Sequence, residues 1–190
     1  VESILTSPVP VVVYVSPIGA HAASAGTFIV ASAHIAVMAP ITNIGAASPV
    51  NIDGEDLPET IRSKATEDAA ALIRDIGDRR GRNADALEAT VTKAWAYSAT
   101  EALENGVIDL IAADLSALLS SIDGRAVEID GSSVLLETDG LEIRGIEKTL
   151  LENLLGFLTN PNIALVLLVV GLIGIMIDVI AGFSLIFPAV

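Results

Sequence analysis

Cysteine is absent from the 190 residues. That excludes disulfides, thiolate metal sites and a cysteine nucleophile, and says nothing about compartment. Basic residues are scarce: 10 lysines and arginines stand against 24 acidic residues, for a formal net charge of −14. Such a surface repels phosphate backbones, so nucleic acid is excluded as a partner. It also repels anionic lipid headgroups, so any membrane attachment must come from insertion. Two scattered histidines, His21 and His34, give no ligand cluster, and no glycine-rich phosphate loop is present. Neither a metal nor a cofactor is expected. Aromatics make up only 4%. The chain opens at Val1 without an initiator Met or a signal-like segment, and reads as a fragment.

What is abundant is small and aliphatic. Hydrophobic residues make up 52% and the mean hydropathy is +0.65. That is too apolar for an ordinary soluble domain, so part of the chain is expected in lipid or in a very dry core.

Pro10 to Val15 is a continuous apolar run, as in a strand covered on both faces. Ser16 to Ala25 reads as a turn of small residues, and the stretch to Ala33 as a short buried helix. His34 to Ala39 reads as a second buried strand, so the order is that of a parallel α/β unit. Pro40 to Leu57, with Asp53-Gly54, looks like loop. A helix to Arg80 follows, its apolar stripe formed by Ile61, Ala65, Ala69, Leu72 and Ile76. A second helix spans Ala84 to Ala96. Ser98 and Glu101 form a capping box, and Asn105-Gly106 ends that helix. Val107 to Ile111 reads as a strand and Leu115 to Ser121 as a helix. Three Asp-Gly pairs between Asp123 and Ile146 predict a β-meander with tight turns. From Glu147 the chain is amphipathic, then wholly apolar. One bilayer crossing fits between Asn162 and Val179, and Ile180 to Val190 begins a return. The domains read as 1–122, 123–146 and 147–190.

Ser24 stands where a turn enters a helix. There its hydroxyl can project, and the helix N-terminus offers N–H groups to a developing oxyanion. It can equally be an N-cap. A serine nucleophile needs a base. His21 is on the same turn, and His34 opens a buried strand, so neither makes a triad. A lysine serves when burial keeps it neutral. Lys64 flanks the apolar stripe, where a snorkelling surface lysine is the other reading. Periodicity does not choose between Lys64 and Lys93, and Lys148 completes the set of three.

The segment VVVYVSPIGAHAASAGTFIVASAHIAVMAPITNIGAASPV resembles the core of the NfeD-type membrane-bound serine proteases, the stomatin operon partner family. These are relatives of signal peptide peptidase A and of the Clp protease fold. SATEALENGVIDLIA and LTNPNIALVLLVVGLIGI are similar to later family segments. The resemblance implies an α/β, ClpP/crotonase-like spiral of parallel ββα units, followed by a small β-meander and a C-terminal transmembrane segment. It implies Ser24 as nucleophile, Lys64 as base and the Ala25 N–H in the oxyanion hole. Gly45, Ala46 and Ala47 would lie along the substrate. Implied substrates are hydrophobic segments of membrane-associated proteins such as stomatin-like partners. The implied setting is a lipid bilayer, with the catalytic domain outside the cytoplasm and a homo-oligomer, a dimer, as the assembly. Rival readings are a non-catalytic membrane scaffold that binds stomatin-like proteins, and an acyl-CoA enzyme on the same fold.

Overall fold

The computed structural model describes residues 1–50, 58–147 and 149–186. Asp53-Gly54 and Lys148, named above, lie outside the described residues. Contacts divide the chain into Val1–Leu141 and Glu142–Val190.

In the first unit, a short helix α1 (Glu2–Leu5) precedes β1 (Val12–Val15), β2 (His21–Ala23) and α2 (Ala25–Ser32). Next come β3 (Ile35–Met38), β4 (Asn43–Gly45) and α3 (Glu59–Arg79). The pattern is a strand–strand–helix unit laid down twice. First strands share one sheet, ordered β1–β3 and then β6 (Leu110–Ile111), all parallel. Second strands share another, β2 parallel to β4, with β5 (Ala96–Ser98) added antiparallel. Helix α4 (Ala84–Thr92) precedes β5 and α5 (Ala99–Glu104) follows it. The unit ends with α6 (Leu115–Ile122) and a hairpin of β7 (Ala126–Ile129) and β8 (Ser132–Leu135).

Strand β3 explains why two cores form. All four of its residues are buried, and successive side chains point to opposite faces. Ala36 and Met38 join a core with Val30, Ile44, Ile73 and Leu87, whereas Ile35 and Val37 join Leu110, Leu118, Ile122 and Leu136. A partly buried ion pair ties the ends of these layers. Arg82 Nη2 meets Asp109 Oδ2 at 2.6 Å, and the same oxygen accepts the Ala36 N–H. Arg82 Nη1 donates to the carbonyls of Ala31 and Ala33, closing the C-terminus of α2.

Several elements differ from the sequence reading. The turn of Ser16–Ala25 contains strand β2, the loop of Pro40–Leu57 contains β4, and the helix expected to Ala96 stops at Thr92 to make room for β5. Among the described residues the meander is a two-stranded hairpin, with no third strand after Asp139-Gly140. The α3 stripe is also rotated. Ala70, Ile73, Ile76 and Gly77 are buried, while Ile61 and Leu72 are exposed. Gly77 decides this, because α4 comes so close that a Cβ there would lie 3.1 Å from Ala84 Cα.

The second unit holds α7 (Leu150–Leu158) and α8 (Pro161–Ile186). A capping box of Thr149 and Glu152 starts α7. Helix α8 runs on to Ile186, past the place where a return crossing was expected to begin. Among the described residues no single helix is long and apolar enough to cross a membrane. Leu150–Leu158 with Asn162–Ile177, bent by 69°, passes as a pair by length and composition.

Candidate active site

The site begins where β2 ends. Parallel pairing sets Ala23 opposite Gly45, and the chain must then reverse into α2 within one residue. Ser24 does this at φ 51°, ψ −121°. That conformation costs a residue with a Cβ about 1–3 kcal/mol and persists only when its surroundings enforce it. The enforcing bonds are visible. Ser24 N donates to Gly45 O at 3.2 Å, and Ser24 O accepts from Thr27 N at 3.0 Å.

This geometry speaks against the N-cap reading of Ser24. An N-cap serine sits in the β region so that its hydroxyl reaches the first-turn N–H groups. Ser24 does not, and its side chain makes no capping bond. The residue is exposed, and among the described residues its hydroxyl has no hydrogen-bond partner at the mouth of the helix. The Ala25 N–H, first in α2, is beyond the reach of any intrahelical carbonyl. A hydroxyl and a first-turn N–H without an intrahelical carbonyl therefore share one turn. The residues two before and two after the serine are small. A Cβ on Gly26 would stand 3.7 Å from that of Ala22.

The far wall is β4 and the segment it pairs with. Gly45 has φ +130°, and a Cβ there would fall 2.2 Å from Trp95 O. Ala46 N donates to that carbonyl, and Ala47 N to Thr90 O, both at 2.8 Å. The N–H groups of Ala46 and Ala47 are thus spent inside the fold. Ala46 is exposed and Ala47 buried. Ala46 and Ala94 also have positive φ, so three of the five such non-glycine residues among the described ones gather around the Gly45–Trp95 junction. Trp95, half exposed, meets Tyr97 edge-on at 6.5 Å, and Lys93 Nζ lies 4.8 Å from its ring centroid.

Lys64 is exposed on the outer turns of α3. Among the described residues no hydrogen bond or ion pair joins it to Ser24 or to any other residue. His21 is exposed on β2. His34 is half-buried, accepting the Val11 N–H on Nδ1 at 3.1 Å. Two cavities of about 520 and 480 Å³ lie elsewhere, one beside His34 and the β7–β8 turn, the other beside Tyr14 and Pro17. Neither is lined by Ser24. Sequence reasoning missed Thr27, although it stands in the AASAGT motif, and Trp95, although it is the sole tryptophan.

Fold and turn define an α/β protein with a serine elbow between strand and helix. No protein-family model matches the sequence. The chain is 35% identical over 182 residues to membrane-bound protease PH1510 of Pyrococcus horikoshii, covering 93% of this chain and 41% of that protein. It therefore spans about two-fifths of the length of that curated relative. A solved structure of the 1510-N membrane-bound stomatin-specific protease, a lysine-to-alanine mutant in complex with a substrate peptide, is 34% identical with a TM-score of 0.74. The match covers 83% of this chain and 74% of that one. A serine-to-alanine mutant of the same protease is 35% identical with a TM-score of 0.70, over 78% and 73% of the two chains. The 1510-N protease from Pyrococcus horikoshii, specific for a stomatin homolog, matches at 33% identity and a TM-score of 0.70, over 84% and 72%. The chain belongs to the family of these membrane-bound proteases.

Proposed function

We propose that the chain carries the catalytic unit of a membrane-anchored serine endopeptidase that cleaves hydrophobic segments of membrane-associated proteins, stomatin-like proteins among them. The observation that carries this reading is Ser24, held at positive φ with its hydroxyl free at the mouth of α2. Ser24 Oγ attacks the peptide carbonyl and its proton passes to Lys64 Nζ. The oxyanion forms against the Ala25 N–H. The proton then goes to the leaving amine, and water releases the acyl-enzyme. Gly45 to Ala47 shape the wall beside the substrate, Gly45 by admitting the Trp95 carbonyl at its back.

The choice of Lys64 is supported by the relatives. Their substituted serine and lysine are separated along the chain within one residue of the spacing between Ser24 and Lys64. A lysine base must be neutral, which requires water to be excluded around it. Lys64 is exposed here, so the outer turns of α3 have to be covered, by substrate or by a second copy of the chain in a dimer. Two stacked ββα units support a ClpP/crotonase-like spiral over 1–122. The hairpin of 123–146 and the helices of 147–190 then connect it to a bilayer, with the catalytic unit outside the cytoplasm. Ser24→Ala and Lys64→Ala should each abolish cleavage of an apolar stomatin-type peptide, and retained cleavage removes that residue from the scheme.

The exposure of Lys64 favours a second reading, a scaffold that binds stomatin-like proteins without cutting them. Equal rescue of a deletion strain by wild type and by Ser24→Ala selects the scaffold.

A further inference from the structure

Thr27 is wholly buried three residues into the serine turn. A threonine in a helix usually turns its hydroxyl back onto a carbonyl of its own helix. Thr27 does otherwise. Its Oγ1 lies 2.9 Å from Ala22 O and 3.0 Å from Gly45 O. One proton is shared between carbonyls on two strands, β2 and β4. Gly45 O is also the acceptor of the Ser24 N–H, and the backbone N–H of Thr27 holds Ser24 O. Thr27 thus grips the chain two residues before Ser24, at Ser24 itself, and at the carbonyl that anchors Ser24 from across the sheet. Loss of the hydroxyl would leave two buried carbonyls sharing one donor fewer, at the point where the positive φ of Ser24 is enforced.

We infer that Thr27 is a positioning residue, whose hydroxyl clamps β2 to β4 and so holds the Ser24 hydroxyl in its attacking orientation. This rests on the reading of Ser24 as nucleophile. Thr27 touches no substrate. Its effect belongs in the chemical step and leaves substrate affinity alone.

The test is labelling of the full chain in detergent by a fluorophosphonate, in which Ser24 Oγ bonds to phosphorus, fluoride leaves and the serine proton passes to the base. Thr27→Val keeps the shape and removes the donor. A net hydrogen bond of about 1 kcal/mol, given largely to orienting the nucleophile, corresponds to roughly a five- to tenfold fall in the limiting labelling rate. The half-saturating probe concentration should not change, and Thr27→Ser should restore the rate. Measurements are made below the unfolding midpoint of every variant, so a merely structural role would leave the rate intact. If Thr27→Val does not fold, Thr27→Cys, with its weak S–H donor, takes its place with the same expected fall. Wild-type labelling that Ser24→Ala abolishes, with Thr27→Val labelled at the wild-type rate, overturns the positioning role alone. Wild-type protein that is not labelled at all overturns the nucleophile reading, and this inference with it.

Discussion

The carbonyl of Gly45 accepts the backbone N–H of Ser24 at 3.2 Å. Through that one bond the conformation of the candidate nucleophile depends on a glycine 21 positions along the chain. Gly45 has no alternative residue. A methyl group there would collide with Trp95 O at 2.2 Å, on a backbone at φ +130° that side chains rarely adopt. Gly45→Ala should lower unfolding stability by about 3 kcal/mol or more, since clash and backbone strain add. Denaturant titration followed by Trp95 fluorescence checks this, and an unchanged midpoint would contradict the close approach.

Strain at Ser24 is measurable without any substrate. Ser24→Gly removes the Cβ that makes φ 51° costly, a relief of about 1–3 kcal/mol, against about 1 kcal/mol of extra chain entropy for glycine. The net expectation is a stability gain of about 1 kcal/mol, or roughly 2–4 °C in Tm. Ser24→Ala keeps the Cβ and should leave Tm nearly unchanged. Both lose the candidate nucleophile. Equal midpoints for the two variants in a thermal melt would show that the turn is unstrained.

Arg82 and Asp109 form the most buried ion pair among the described residues, with the arginine side chain 2% exposed. Asp109→Ala leaves the guanidinium without its counter-ion and the Ala36 N–H without its acceptor. A loss of about 3–5 kcal/mol is expected. Arg82→Met with Asp109→Ala together should recover part of it, because a paired deletion leaves no buried charge. A double-mutant cycle by urea denaturation reads both terms, and simple additivity would deny the coupling.

His34 is held below its ordinary pKa by burial first, then by the nearby Arg80 and Arg82 guanidiniums. The unfolded chain then binds a proton more readily than the folded one. The contribution to stability is complete above the unfolded value, near 6.5, and is lost as pH falls from there through the lower folded value. Asp78, Arg79, Glu128 and Asp130 line the same cavity. His34→Asn should flatten the decline in stability just below pH 6.5, as followed by denaturant midpoints across that range. A slope equal to that of wild type would place the acid sensitivity elsewhere.

The Ser98–Glu101 capping box was fully legible, because a cap is a local matter of four residues, and both its bonds are present. The buried strand β3 was legible as an unbroken apolar run. Strands β2, β4 and β5 were not. Each has three residues, His21–Ala23, Asn43–Gly45 and Ala96–Ser98. Too short and too small to show an alternation, they exist by pairing with one another across the chain. The same limit applied to the site. Ser24 could be singled out, yet whether it capped or projected depended on φ, and φ depended on Gly45. The tilt of the α3 stripe likewise came from Gly77 and its neighbour helix, which no periodicity within α3 encodes.

The turn around Ser24 draws on segments near residues 22, 27, 45 and 95 at once. During synthesis the serine emerges long before Trp95 has closed the junction on Gly45. The backbone geometry that projects Ser24 is therefore complete only once β5 has joined β4.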